Sequence, residues 1–419
     1  MVTERLYRDD PYRLEFDATV VARRRHRDRP AVVLDRTAFY AESGGQPWDT
    51  GTLDGASVVA VVEQEGEILH VLDSPVTDDR VHGRVDGPRR LDHMQQHHGQ
   101  HLLSRALVEV AAARTVSFHL GAEDVLVDLD RLVSDDELRR AETRANEIVW
   151  QARPVTVRIV TPAEAESLLA TPIGRLHGAP APDERAQARS AHALAEAGNA
   201  VRLVEAAGFD LQACSGTHPR STAEVGVVLV LAQERYKGGS RVRFVCGHRA
   251  LGAMRRRLRA LDELGAVLSA GLAELPQAAR RLREQLHESD RRGRELLDRA
   301  LEGEARRLLA EAGSLPAVVA RAFDGWTPAD LRALAGQLVA LAPCVALLGS
   351  RAGKAHLVFA QSEGMTHDIG ALLREALTLV GGRGGGRGNL AQGGGDRVEG
   401  LDEALAKAEL AVRTRANRP

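Results

Sequence analysis

Aromatic side chains are scarce in this 419-residue chain: seven phenylalanines, four tyrosines and three tryptophans, 3% in all. Leucine, valine and alanine must therefore fill its cores, and stacking of bases on exposed rings is excluded as a main way of holding RNA. Cysteine is scarcer still. Cys214, Cys246 and Cys344 are too few and too widely spaced for a disulfide framework. A cysteine with a special role is then a metal ligand or a nucleophile, and a cytoplasmic setting is expected. No apolar run approaches the ~18 residues of a membrane span. Met1 to Asp10 is polar and contains acids, unlike a signal or transit peptide. Charge of one sign is missing too, since 56 Lys and Arg against 58 Asp and Glu give −2. That excludes a general polyanion binder and leaves only local basic patches.

The chain does have the length and the 44% hydrophobic content for two to four domains with true cores. From Arg13 to about Val85, short apolar stretches such as Ala31–Leu34, Val58–Val62 and Ile68–Leu72 are punctuated by glycines, the pattern of a small all-β domain. Arg90 to about Val110 turns helical, with Leu102, Leu103, Ala106, Leu107 and Val110 on one face. Strands are expected at Val116–Leu120, Val125–Leu129, Pro154–Val160 and Ala200–Val204, and a helix capped by Ser134 from Asp135 to Trp150. Gly174 to Arg189, with prolines and mixed charges, reads as a mobile loop. From Leu251, leucines at gaps of three and four mark an amphipathic helical hairpin restarted by Pro276. A strand–helix–strand–strand–helix pattern follows from Ala317, then a glycine-rich tract and a last helix from Leu401.

Two short motifs carry chemistry. His97 and His101 are four apart on the predicted helix, so both imidazoles reach one ion from one face. On spacing alone a polar helix face explains them equally well. Cys214 and His218 are four apart around a Ser-Gly turn, a common half of a zinc site. Three nitrogens and one sulfur suit Zn²⁺, one per chain, over hard cations such as Mg²⁺. The competing reading makes Cys214 a nucleophile with His218 as its base.

Phe39–Gln46 (FYAESGGQ), Met94–Ser104 (MQQHHGQHLLS), Cys214–His218 (CSGTH), Tyr236–Gly239 (YKGG) and Arg241–Gly247 (RVRFVCG) resemble, in that order, the editing domains of alanyl-tRNA synthetases and their free-standing relatives. Gly381–Arg387 and Ala391–Gly394 are similar to the C-terminal tRNA-binding (DHHA1-like) domain of the same system. The resemblance implies an α+β multidomain protein. Its parts are an N-terminal β-barrel-like domain at residues 1–88, a zinc-bearing α/β editing domain at 89–250, a helical hairpin at 251–313 and a C-terminal α/β domain at 314–419. It implies hydrolysis of the aminoacyl ester of Ser-tRNA(Ala) or Gly-tRNA(Ala). Only thirty-eight residues precede Phe39, so an aminoacylation domain and charging of tRNA are not expected.

The same resemblance assigns metal ligation to His97, His101, Cys214 and His218. Gln46, Gln100, Gly216 and Thr217 are expected at the substrate, with Gly44 and Gly45 letting backbone N–H groups approach it. Relatives often carry a hydroxyl where His98 stands, and His98, ~100° round the helix from His97, is expected to point away from the ligand face. The serine hydroxyl would be read from the strand after the zinc helix, where Ser117 and His119 stand. tRNA phosphates are assigned to Lys237, Arg241, Arg383 and Arg387, although plain solvated charges and a glycine linker explain these as well. Partners would be mischarged tRNA(Ala), no membrane, and a second copy through the helical hairpin or the C-terminal domain. A four-ligand zinc is closed, so one ligand loosens, the ion becomes five-coordinate, or it only positions the substrate. A threonyl-tRNA-type editing domain and a non-catalytic tRNA-binding protein are the alternatives.

Overall fold

The computed structural model describes residues 3–174 and 200–416. Most of the expected mobile loop at Gly174–Arg189 lies outside the described residues. The chain forms two compact units, Met1–Glu263 and Leu264–Pro419.

In the first unit, six strands close into a barrel: Glu15–His26, Arg29–Leu34, Gly51–Leu53, Ala56–Gln64, Glu67–Leu72 and Arg80–Val85. Taken in chain order they follow one another round the barrel as first, second, fifth, fourth, third, sixth. The first strand shows why. Phe16, Ala18 and Val20 are buried while Glu15, Asp17 and Thr19 face solvent, the period of two that a half-buried strand requires. Phe39, Leu53, Val61, Ile68 and Leu72 join them in the barrel core.

Helix Gly87–Ala111 leaves the barrel with Asp86 as N-cap and Pro88 in its first turn. Every residue from His93 to Ser104 is buried, polar ones included. Leu102, Leu103, Ala106 and Leu107 pack on Val125, Val127, Val242 and Phe244. Those four belong to an antiparallel sheet ordered Val228–Tyr236, Gly239–Cys246, Val125–Leu129, Thr115–Leu120. Helix Asp135–Trp150 shares this core, and its start carries the reciprocal Ser134–Glu137 capping box. A second sheet, Val155–Val160, Val201–Ala206 and Asp210–Ala213, leads straight into Cys214.

One buried ion pair ties helix to barrel. The Arg90 guanidinium, 1% exposed, donates to Asp49 Oδ2 at 2.5 and 3.0 Å and to the carbonyls of Ala38 and Pro11, each at 2.6 Å. Asp49 Oδ2 also accepts the Tyr40 N–H at 2.7 Å. The Tyr40–Gln46 loop and the ligand-bearing helix therefore share one electrostatic anchor.

The second unit contains the long helix Leu275–Ala312. Its five-stranded sheet runs Ala317–Asp324, Cys344–Ala352, Lys354–Gln361, Leu390–Gly395, Gly382–Arg387, accompanied by helices Pro328–Leu341, Ile369–Leu379 and Leu401–Ala416. The glycine tract is thus no linker. It folds as an antiparallel hairpin whose glycines make room for the neighbouring helix: a Cβ on Gly393 would meet Leu377 Cδ1 at 2.8 Å. Arg383 and Arg387 are exposed on the outermost strand.

Arg90→Ala would leave the Asp49 carboxylate buried without its cation, a loss of roughly 3–5 kcal/mol. Equilibrium urea unfolding checks this, and a loss under about 1 kcal/mol would show that the helix holds without the clamp.

Candidate metal centre

Helix geometry sets the first half of the centre. His97 and His101, one turn apart, present rings whose centroids are 5.2 Å apart. The second half arrives from the end of strand Asp210–Ala213, where the turn after Cys214 brings His218 back to the same point. Cys214 Sγ lies 3.3 Å from His97 Nε2 and 3.2 Å from His218 Nε2. The donor atoms of His97, His101, Cys214 and His218 all fall within 4.8 Å of one another. Bonds of about 2.0 Å to nitrogen and 2.3 Å to sulfur at a tetrahedral ion put donors roughly 3.3–3.6 Å apart, so this set fits zinc with small adjustments. The Gly216 N–H also points at the sulfur, at 3.4 Å.

Each histidine has a polar group behind its Nδ1, hydrogen-bonded for His97 and His218 and a longer contact for His101. His97 Nδ1 lies 2.8 Å from Gln46 Oε1, His101 Nδ1 is 3.4 Å from Asp210 Oδ2, and His218 Nδ1 is 3.1 Å from His98 Nδ1. An amide oxygen only accepts, so His97 carries its proton on Nδ1 and offers the Nε2 lone pair to the cluster. Burial, reinforced by His98, Arg202 and His93, pushes the His97 imidazole down to about 3. Burial likewise holds His218 well below its ordinary value, with His101, His97, His98 and Arg202 adding to the effect. Both rings are therefore neutral near pH 7, the form a metal needs.

Several expected substrate contacts are engaged in the protein instead. Gln46 is fully buried: its Oε1 also accepts the Thr217 N–H at 3.1 Å and its Nε2 donates to Thr217 Oγ1 at 2.9 Å. Gln46 and Thr217 hold the ligand turn against His97. Gln100, 4% exposed, donates to Ser104 Oγ at 2.8 Å, which accepts from Thr115 Oγ1 at 2.7 Å. Gly44 and Gly45 do border the centre. A Cβ on Gly44 would meet Ser215 Oγ at 3.1 Å, and one on Gly45 would meet the Phe118 ring at 2.8 Å.

Ser117 and His119 require correction. Phe118 pairs with the core residue Val127 and packs near His97, whereas Ser117 pairs with Asp128 and His119 with Leu126 on the opposite face. Strand alternation turns both away from the donors. Ser117 Oγ is spent on Asp128 Oδ2 at 2.8 Å. Arg241 is corrected too, because its guanidinium forms a bidentate pair with the same carboxylate at 2.6 and 2.9 Å and lies over the Tyr236 ring. Lys237 stays exposed on its turn. His98 stays outside the donor set, but its ring tucks in behind His218, fully buried, rather than pointing away.

Sequence reasoning missed Asp210, Phe118 and Arg202. Arg202 Nη1 donates to the carbonyls of Cys214 and Gly216 at 2.7 and 3.1 Å, clamping the ligand turn. Its signal was an arginine inside the apolar strand Val201–Ala206. Asp210 gave no signal beyond a carboxylate four residues before Cys214.

Residues 201–244 match the family of the threonyl and alanyl tRNA synthetase second additional domain. Residues 12–89 match the class II (A) tRNA synthetases and residues 315–414 the DHHA1 domain. The chain is 31% identical over 422 residues to the alanyl-tRNA editing protein AlaX-L of Pyrococcus horikoshii, covering 98% of each. It belongs to the alanyl-tRNA editing protein family. It is also 35% identical to the alanine–tRNA ligase of Natronomonas pharaonis and 32% to that of Methanoregula boonei. Those matches cover 98% and 96% of this chain but only 44% and 43% of the ligases, so it spans less than half their length. Among the described residues, no helix is long and apolar enough to cross a membrane.

A Cβ on Gly216 would lie 2.1 Å from His97 Cε1 and 2.9 Å from Gln46 Oε1. Gly216→Ala is expected to push His97 off the cluster and reduce metal from about one ion per chain to a small fraction, with secondary structure unchanged. Elemental analysis beside circular dichroism measures both. Full metal content in the variant would show that the loop yields instead.

Proposed function

We propose that this protein hydrolyses the aminoacyl ester of Ser-tRNA(Ala), and of Gly-tRNA(Ala), sparing Ala-tRNA(Ala), as a zinc-dependent deacylase. The observation that carries the reading is the buried convergence of His97, His101, Cys214 and His218, in a chain similar over 98% of its length to an alanyl-tRNA editing protein. The four residues would hold one zinc, which when bound supplies concentrated positive charge beside the ester. The protein's own groups do the rest. Gln46, Asp210 and Arg202 keep the donors and the ligand turn in place, the Gly44-Gly45 loop offers close backbone approach, and Phe118 closes the site toward the sheet.

With Ser117 and His119 on the far face, we assign the substrate hydroxyl to Ser43 and Ser215. Their Oγ atoms are 3.2 Å apart, only partly buried, and Ser215 directly follows the Cys214 ligand. A pocket that bonds a hydroxyl discriminates strongly against the analogue lacking it, which is what sparing alanine requires. We further read the chain as the four parts 1–88, 89–250, 251–313 and 314–419. Lys237, Arg383 and Arg387 contact tRNA phosphates. A second copy docks on the exposed leucines of helix Leu275–Ala312, such as Leu282, Leu286 and Leu296.

Purified protein should deacylate Ser-tRNA(Ala) well ahead of Ala-tRNA(Ala), with chelator abolishing the activity and zinc restoring it. Cys214→Ala and His101→Ala should lose both zinc and hydrolysis. Equal rates on the two charged tRNAs, or full activity in those variants, would sink the assignment. Removing both Arg383 and Arg387 should lower the slope of log affinity against log salt by about 1–2, at about 0.9 per phosphate contact. An unchanged slope in a filter-binding titration would leave the hairpin without a tRNA role.

A further inference from the structure

His98 is the one of three supporting groups whose hydrogen-bonding role is not dictated by its own chemistry. Gln46 Oε1, behind His97, can only accept, which puts the His97 proton on Nδ1, and behind His101 the Asp210 carboxylate lies 3.4 Å from Nδ1. Behind His218 stands a second imidazole instead, with the two Nδ1 atoms 3.1 Å apart and both rings buried, at 0% and 2% exposure. Between two neutral imidazoles one Nδ1 must donate and the other accept. His218 Nε2 is the atom that faces Cys214 Sγ, at 3.2 Å, so it must present a lone pair. Its proton then sits on Nδ1, and His98 must accept there while carrying its own proton on Nε2. With the His98 proton on Nδ1, the His218 proton would move to Nε2 and close that nitrogen to any ion.

We propose that His98 is a positioning residue that locks His218 in its metal-binding tautomer and ring plane, and so sets the metal affinity of the site. The proposal rests on the four-residue metal site described above. No neighbouring residue on the helix does the same work: Gln96 is bonded to Asp92 and Cys246, and Gln100 to Ser104.

The test uses the full chain and zinc itself, with affinity measured by competition with a chromophoric chelator. A second readout is the visible spectrum of the protein loaded with cobalt(II). His98→Phe keeps a planar ring but has no acceptor, and is expected to weaken zinc binding about 10–100-fold and to alter the cobalt bands. The urea midpoint of the metal-free protein should stay unchanged. His98→Gln restores an acceptor oxygen and should recover most of the affinity. Wild-type affinity and spectrum in His98→Phe would overturn the proposal. So would equal weakening in both variants with a lowered metal-free midpoint, which would leave His98 a packing residue. Absence of zinc binding by the unsubstituted protein would instead overturn the metal-site reading on which this rests.

Discussion

Burying a polar helix is the constraint from which the site follows. Residues His93 to Ser104 are all withdrawn from water, so every imidazole and amide among them needs a partner or pays a desolvation cost. The barrel, the ligand turn and the sheet core each supply some of those partners. Gln46 comes from the loop after the barrel strand Arg29–Leu34, Asp210 from the three-stranded sheet, and Thr115, through the helix's own Ser104, from the strand beside it. The elements that bury the helix thereby also orient its histidines. Stability and ligand geometry are one requirement here.

The barrel also anchors the helix. Arg90 reaches back into it through Asp49, and the Asp49 carboxylate in turn holds the start of the loop that delivers Gln46. A shift of the helix along its axis would break that pair and the Gln46–His97 contact together. Removal of either charge costs far more than the pair contributes, because the survivor cannot be rehydrated.

Much of the architecture was legible from pattern. The strands Val125–Leu129 and Val155–Val160, the helices Asp135–Trp150 and Pro328–Leu341 and the Ser134 cap follow directly from periodicity and end signals. The paired spacings His97/His101 and Cys214/His218 were legible for the same reason, since both are local geometry. The glycine tract was not. Its composition reads as a linker, and only the helix Ile369–Leu379 lying against it explains glycines that a loop would not need.

Spacing within a helix or a turn needs no knowledge of the rest of the chain, and so the sequence by itself determined which four side chains could share an ion. It also determined that disulfides would play little part, and Cys214, Cys246 and Cys344 form none. Which neighbours surround those four side chains was decided by tertiary structure alone. Whether Ser117 or Phe118 faces His97 depends on strand register, in which one residue's step exchanges the two faces. Whether Arg241 is free for phosphate depends on a carboxylate more than a hundred residues away, Asp128, on the adjoining strand. His98 likewise turns toward the site because His218, 120 positions further on, is folded back behind it. Such contacts are set by how distant segments pack, and no local pattern encodes them.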